Sequence, residues 1–93
     1  MSQNTLIRYL SRISTDPRVN VWHLATYHAL IQIWLHCGQP ESFNISRSKV
    51  MALSRISSTA TYHKCMKELQ KFEHIRYLPS YHPGLGSNVC FIA

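Results

Sequence analysis

The segment from Val21 to Cys37 limits the fold more than any other part of the chain. Val21, Trp22, Leu24, Ala25, Tyr27, Leu30, Ile31, Ile33, Trp34 and Leu35 are apolar, and at 100° per residue they nearly surround a helix. Asn20 can cap its start and Gly38 can terminate it. A helix that is hydrophobic almost all round belongs at the centre of a fold, contacted on several sides. Its two tryptophans leave two uses open: core alone, or core together with a contact to a second copy, since large aromatics are enriched at interfaces.

The remaining elements are short and can be read around that helix. With 93 residues, the chain reads as one domain (1–93) with one core: an N-terminal amphipathic arm or helix over 1–16 and a core over 20–93. Leu6, Ile7, Leu10 and Ile13 recur at helical spacing, and the pattern stops before Asp16-Pro17 because a residue preceding proline avoids the helical region. Phe43-Asn44-Ile45 alternates as a short strand would. Ser46 caps a helix over Arg47 to Leu53, and Ser54 to Ser57 form a tight connection. A further helix over about 58–72, capped by Ser57 or Ser58, gathers Tyr62, Cys65, Met66, Leu69 and Phe72 on one side and Lys64, Lys67 and Lys71 on the other. Ile75 to Leu78 and Asn88 to Ile92 read as arms of a hairpin, joined by a loop holding Pro79, Pro83, Gly84 and Gly86.

Charge narrows the function. Ten Lys and Arg oppose four Asp and Glu, a net +6 with neutral histidines. Arg47, Lys49, Arg55, Lys64, Lys67, Lys71 and Arg76 all lie between Asn44 and His82, where only Glu68 and Glu73 oppose them. A field of this sign favours polyanions or anionic surfaces; the plainer alternative is a solvated basic face that keeps the protein soluble. No apolar run approaches the roughly 18 residues of a membrane span, and Met1 to Asn4 lack the features of a signal peptide, so the expected compartment is the cytoplasm. Cys37, Cys65 and Cys90 are widely spaced without a CxxC, which points to reduced, mostly buried thiols with no metal site. Four scattered acids offer no carboxylate pair and no glycine-rich phosphate loop is present, so neither an enzyme nor a cofactor is expected.

The order helix, short strand, helix, tight turn, helix, hairpin resembles the winged helix-turn-helix family. Thr61-Tyr62, Met66, Leu69 and Ile75 are similar to its pattern of Thr-Val, Leu, Leu and Ile across the recognition helix and into the wing, although Glu73 stands where the family usually has Gly. Asp16-Pro17-Arg18, Ile56-Ser57-Ser58, Ala60 to Cys65, Pro79-Ser80-Tyr81 and Gly86-Ser87 also resemble small basic bacterial proteins found beside mobile elements and labelled transcriptional regulators. The resemblance implies an α+β fold, mainly helical, with a three-helix core preceded by an N-terminal helical segment and followed by a C-terminal β-hairpin wing. It also implies a recognition helix over 58–72 that enters the major groove of double-stranded DNA.

On that reading Thr59, Thr61, His63, Lys64 and Lys67 face the groove, with Lys64 suited to guanine O6 and N7 and Lys67 to the backbone. His63 is either a groove contact or an ordinary exposed histidine. Tyr62 belongs to the core. Ser46, Arg47 and Arg55 suit phosphates, and Arg76, Tyr81 and His82 are wing residues that either touch the duplex or stand inert. A homodimer through the N-terminal segment and helix 21–37 would present two such helices to two half-sites. The alternatives are a winged helix that docks a protein partner, an accessory DNA-binding factor for replication, excision or transfer of a mobile element, and an RNA-binding domain.

Overall fold

A computed structural model describes residues 3–80 and 86–93. Four helices and three strands follow one another as α1 (Gln3–Ser14), α2 (Val21–His36), β1 (Phe43–Ile45), α3 (Arg47–Ser54), α4 (Thr59–Lys71), β2 (Ile75–Leu78) and β3 (Ser87–Phe91). The strands form one antiparallel sheet in the order β1-β3-β2, with Phe43 opposite Val89 and Ile75 opposite Phe91. The chain is therefore a small α+β domain, as expected, and none of its described helices is long and apolar enough to cross a membrane.

Local chemistry accounts for most element boundaries. The Asn20 side chain accepts from the backbone N–H groups of Trp22 and His23, while His23 Nδ1 accepts from the Asn20 N–H, so three backbone donors at the start of α2 are satisfied reciprocally. At its other end Gly38 takes φ +86° and the Gln39 N–H closes on Trp34 O. Ser46 and Ser58 cap α3 and α4 by accepting from Lys49 N and Thr61 N. Helix α4 stops where Glu73 adopts φ +64° and the His74 N–H bonds Leu69 O, so the position that favours glycine is filled here by a strained glutamate.

The core condenses around Phe91. Its ring lies 5.1 Å from Tyr9 and from Tyr27, and 5.5 Å from Trp34 and from Phe43, tying α1, α2 and β1 to the last strand. Trp34 satisfies its indole N–H on Pro40 O. From α4, Tyr62, Cys65, Met66 and Leu69 point into the same cluster, so the amphipathic division read from the sequence is the one the fold uses.

Two expectations need correction. Helix α2 is not enclosed all round: Val21, Trp22 and Leu24 are exposed, because α3, α4 and β1 cover only part of its circumference. The thiols are not mostly buried either. Only Cys65 is; Cys37 is exposed at the end of α2 and Cys90 is half-buried on a sheet strand.

Candidate nucleic-acid interface

Helix α4 presents one chemical character outward. Thr59, Ala60, His63, Lys64, Lys67 and Lys71 are exposed and Thr61 is half-buried, while the opposite side is fixed in the core. None of the three lysines makes an ion pair among the described residues. The acid on this helix, Glu68, is held to the flank by His23, whose Nε2–H donates to it at 2.8 Å. The His23 proton must sit on Nε2, since Nδ1 already accepts from the Asn20 N–H. Removing Glu68 from the outer face leaves that face with one sign of charge.

Helix α3 and the turn after it add to the basic surface. Arg47 and Lys49 are exposed in the first turn of α3, and Arg55, also exposed, caps its end at φ +64°. The Ser46 hydroxyl accepts from Lys49 N and keeps its O–H to donate outward. Arg47 lies near enough to Tyr62 to act on its phenol. That phenol is nonetheless pushed well above its ordinary range by burial and by the neighbouring Tyr77 hydroxyl, which keeps it neutral. Tyr62 is thus a core residue that joins α4 to β2.

On the sheet, Arg76 is exposed on β2, whereas Tyr81 and His82 lie outside the described residues. The hairpin is anchored at Gly86. This residue adopts φ +69°, and a Cβ there would stand 2.7 Å from Ile45 O, so only glycine lets β3 pass β1 this closely.

No residue pattern points to the clasp that holds the inner end of α4. Arg12 at the end of α1 donates to Glu73 O at 2.7 Å and to His74 Nδ1 at 3.0 Å. Across the ring, His74 Nε2–H donates to Asp16 Oδ2 at 2.7 Å. Arg18 pairs with Asp16 through two side-chain hydrogen bonds, and its guanidinium lies 4.5 Å from the centroid of Phe72. His74 is only 2% exposed and receives a proton donor at Nδ1. Burial, aided by Arg12, therefore holds its pKa below the ordinary histidine value against the opposing pull of Asp16. Arg18, chiefly, keeps the Asp16 carboxyl far below the usual carboxylate range. His74 lies 62 residues from Arg12 and 58 from Asp16, which is why no spacing rule could join them; in the sequence Asp16-Pro17-Arg18 stands out as a helix stop and for its resemblance, not for any tie to His74.

Trp22, one of the two tryptophans for which the residue pattern leaves core and surface contact both open, is not a core residue. It is 52% exposed and lines a cleft of about 230 Å³ between α2 and α4 together with Asn20, His23, Thr61, Lys64, Cys65 and Glu68. An apolar residue at the exposed start of a hydrophobic helix reads as core in sequence, and only its neighbours show that nothing covers it. Among the described residues no group of three His, Cys, Asp or Glu side chains could hold a metal ion. Comparison with family models, with curated proteins and with solved structures returned no match.

Proposed function

We propose that this chain is a winged helix-turn-helix domain that binds double-stranded DNA, with α4 in the major groove and the β2–β3 hairpin as the wing. The observation that carries the reading is the outer face of α4, where Lys64, Lys67 and Lys71 stand exposed with no ion pair among the described residues. Lysines held on a rigid helix without internal partners can release counterions when they meet phosphates, the main source of affinity for duplex DNA. The connectivity supports it as well: helix, short strand, two helices, then an antiparallel hairpin whose last strand lies between the other two. Thr59, Thr61 and His63 accompany Lys64 at the start of α4, where a recognition helix meets base edges. Arg47, Arg55 and the Ser46 hydroxyl flank it for phosphates, Trp22 can lie against the sugar-phosphate backbone beside Lys64, and Arg76 would follow the wing.

The role we assign is sequence-specific transcriptional regulation in a bacterial cytoplasm, non-catalytic and without cofactor, on an element of the mobile kind that the resemblance suggests. The test is fluorescence anisotropy of a labelled random duplex at two salt concentrations, followed by selection of preferred sites. Binding in the micromolar range should weaken steeply with salt. Lys64→Ala/Lys67→Ala should cost roughly 10- to 100-fold in affinity and lower the slope of log K against log salt by about 2. Absence of binding at low salt, or a double variant that binds as well as the parent, would move the assignment to a protein partner. Selection that returns no preferred site would leave a general duplex binder, suited to an accessory role.

A further inference from the structure

Lys64 and Glu68 are four residues apart on α4, the spacing at which opposite charges become neighbours along a helix. They do not pair here. Glu68 turns to His23, and Lys64 makes no ion pair among the described residues. Both nevertheless line the cleft of about 230 Å³ between α2 and α4, beside Thr61 and the exposed Trp22. The hydrogen bond from His23 leaves unused most of the roughly four lone-pair sites that a carboxylate offers. The cleft thus holds an available cation, an available anion and an aromatic plate. Its volume, below the roughly 300–1,000 Å³ of sites for drug-sized ligands, limits the occupant to a small metabolite.

We propose that this cleft binds a free α-amino acid with an aromatic side chain, its carboxylate on Lys64 and the Thr61 hydroxyl, its ammonium on Glu68 and its ring against Trp22. Charge selects this class. A phosphate or a lone carboxylate is drawn by Lys64 but repelled by Glu68, and a lone amine meets the reverse. A zwitterion answers both charges and leaves neither unmatched. Its two charged groups share one carbon, so the groups that bind them must lie close together. Side chains four apart on a helix meet that condition, at about 5–6 Å between Cβ atoms. The exposed indole supplies the third contact, because aromatic pairs gain beyond the area they bury. One consequence rests on the nucleic-acid reading: a ligand that occupies Lys64 and Thr61 competes with the duplex for the start of α4.

The site itself is tested with no nucleic acid present. The isotope-labelled full chain is titrated with L-phenylalanine and followed by its indole and backbone N–H resonances. The Trp22 indole signal and the amides of Thr61, Lys64 and Glu68 should shift saturably, with a Kd of about 0.1–1 mM for a ligand of this size. The Trp34 indole, buried and bonded to Pro40 O, should stay in place. Phenethylamine and hydrocinnamate, each keeping one of the two charges, should bind at least about tenfold more weakly. Lys64→Met and Glu68→Gln should each cost about tenfold as well. The glutamine can still accept from His23, and Lys64 is exposed, so both variants keep the fold. No shift at Trp22 up to about 10 mM ligand overturns the proposal. So does a single-charge analogue that binds as well as the amino acid, or a shift indifferent to both variants. Saturating L-phenylalanine should also weaken duplex binding about tenfold or more. A duplex affinity unchanged by the ligand would overturn the competition, whereas a chain that binds L-phenylalanine but no duplex keeps the cleft and loses the nucleic-acid reading.

Discussion

The inner end of α4 and its outer face treat charge in opposite ways. At Phe72–His74 the helix runs into the clasp, where Arg12, Asp16, Arg18 and His74 satisfy one another over distances of 2.7 to 3.0 Å. Along the outer face Lys64, Lys67 and Lys71 stand without ion pairs among the described residues. Buried charges and polar groups must be paired, because an unpaired one loses its hydration with nothing in return. Exposed lysines keep their water and can exchange it for a partner. The same helix is thus fastened by electrostatics at one end and left electrostatically open along its side. Substitutions at the clasp should therefore alter stability, and substitutions on the face should alter binding.

The largest expected effect is at the clasp. His74→Ala removes a buried ring and leaves Asp16 and Arg12 short of a partner, so it should lower stability by about 2–4 kcal/mol in urea denaturation. A cost under about 1 kcal/mol would show that the clasp is ornamental to the fold. Gly86→Ala comes next, at about 2 kcal/mol, since it combines a positive φ with the close approach to Ile45 O. Its damage should centre on the hairpin, measured as lost amide protection in β3. Lys64→Ala/Lys67→Ala should leave stability within about 0.5 kcal/mol of the parent, as expected of exposed side chains, whatever it does to duplex affinity. If that variant unfolds instead, the two regions are less separate than the geometry implies.

Acid sharpens the contrast further. The pKa of His74 is lower in the folded chain than its ordinary value near 6.5, so the unfolded chain binds the extra proton first. Its contribution is whole above about pH 6.5 and is lost as pH falls through the folded value. Asp16, also lowered, acts in the same direction at still lower pH. Thermal melts should weaken between pH 7 and pH 5. His74→Gln should flatten that slope, because a glutamine amide can still donate to Asp16 and accept from Arg12 but does not titrate. An unchanged slope would place the titrating group elsewhere. The smallest effect is a gain. Glu73→Gly relieves a left-handed φ of 64° while sparing the carbonyl that Arg12 grips, and should stabilise the chain by about 0.5–1 kcal/mol.

Much of the architecture was readable in the residues. The Asn20, Ser46 and Ser58 caps, the stop at Gly38, the short strand Phe43–Ile45 and the two-sided pattern of α4 all appear where spacing and capping chemistry put them. The basic candidates also emerged as exposed side chains, since a lysine or arginine opposite an apolar stripe has only solvent to face. Val21, Trp22 and Leu24 stand exposed in a helix whose pattern points to the core, because hydrophobicity states what a residue prefers, whereas exposure depends on how many neighbouring elements the short chain can supply.

What the sequence determined by itself was local: which segments are helical, where they begin and end, and which face of each is apolar. Those properties arise from interactions between residues a few positions apart. The tertiary structure alone decided that β3 would lie between β1 and β2, that α2 would keep an uncovered arc, and that His74 would be buried as a bridge between partners 58 and 62 residues away. Such contacts depend on the packing of whole elements. A histidine that titrates freely in one packing becomes a fixed hydrogen-bond bridge in another, with no change in the residues beside it in the chain.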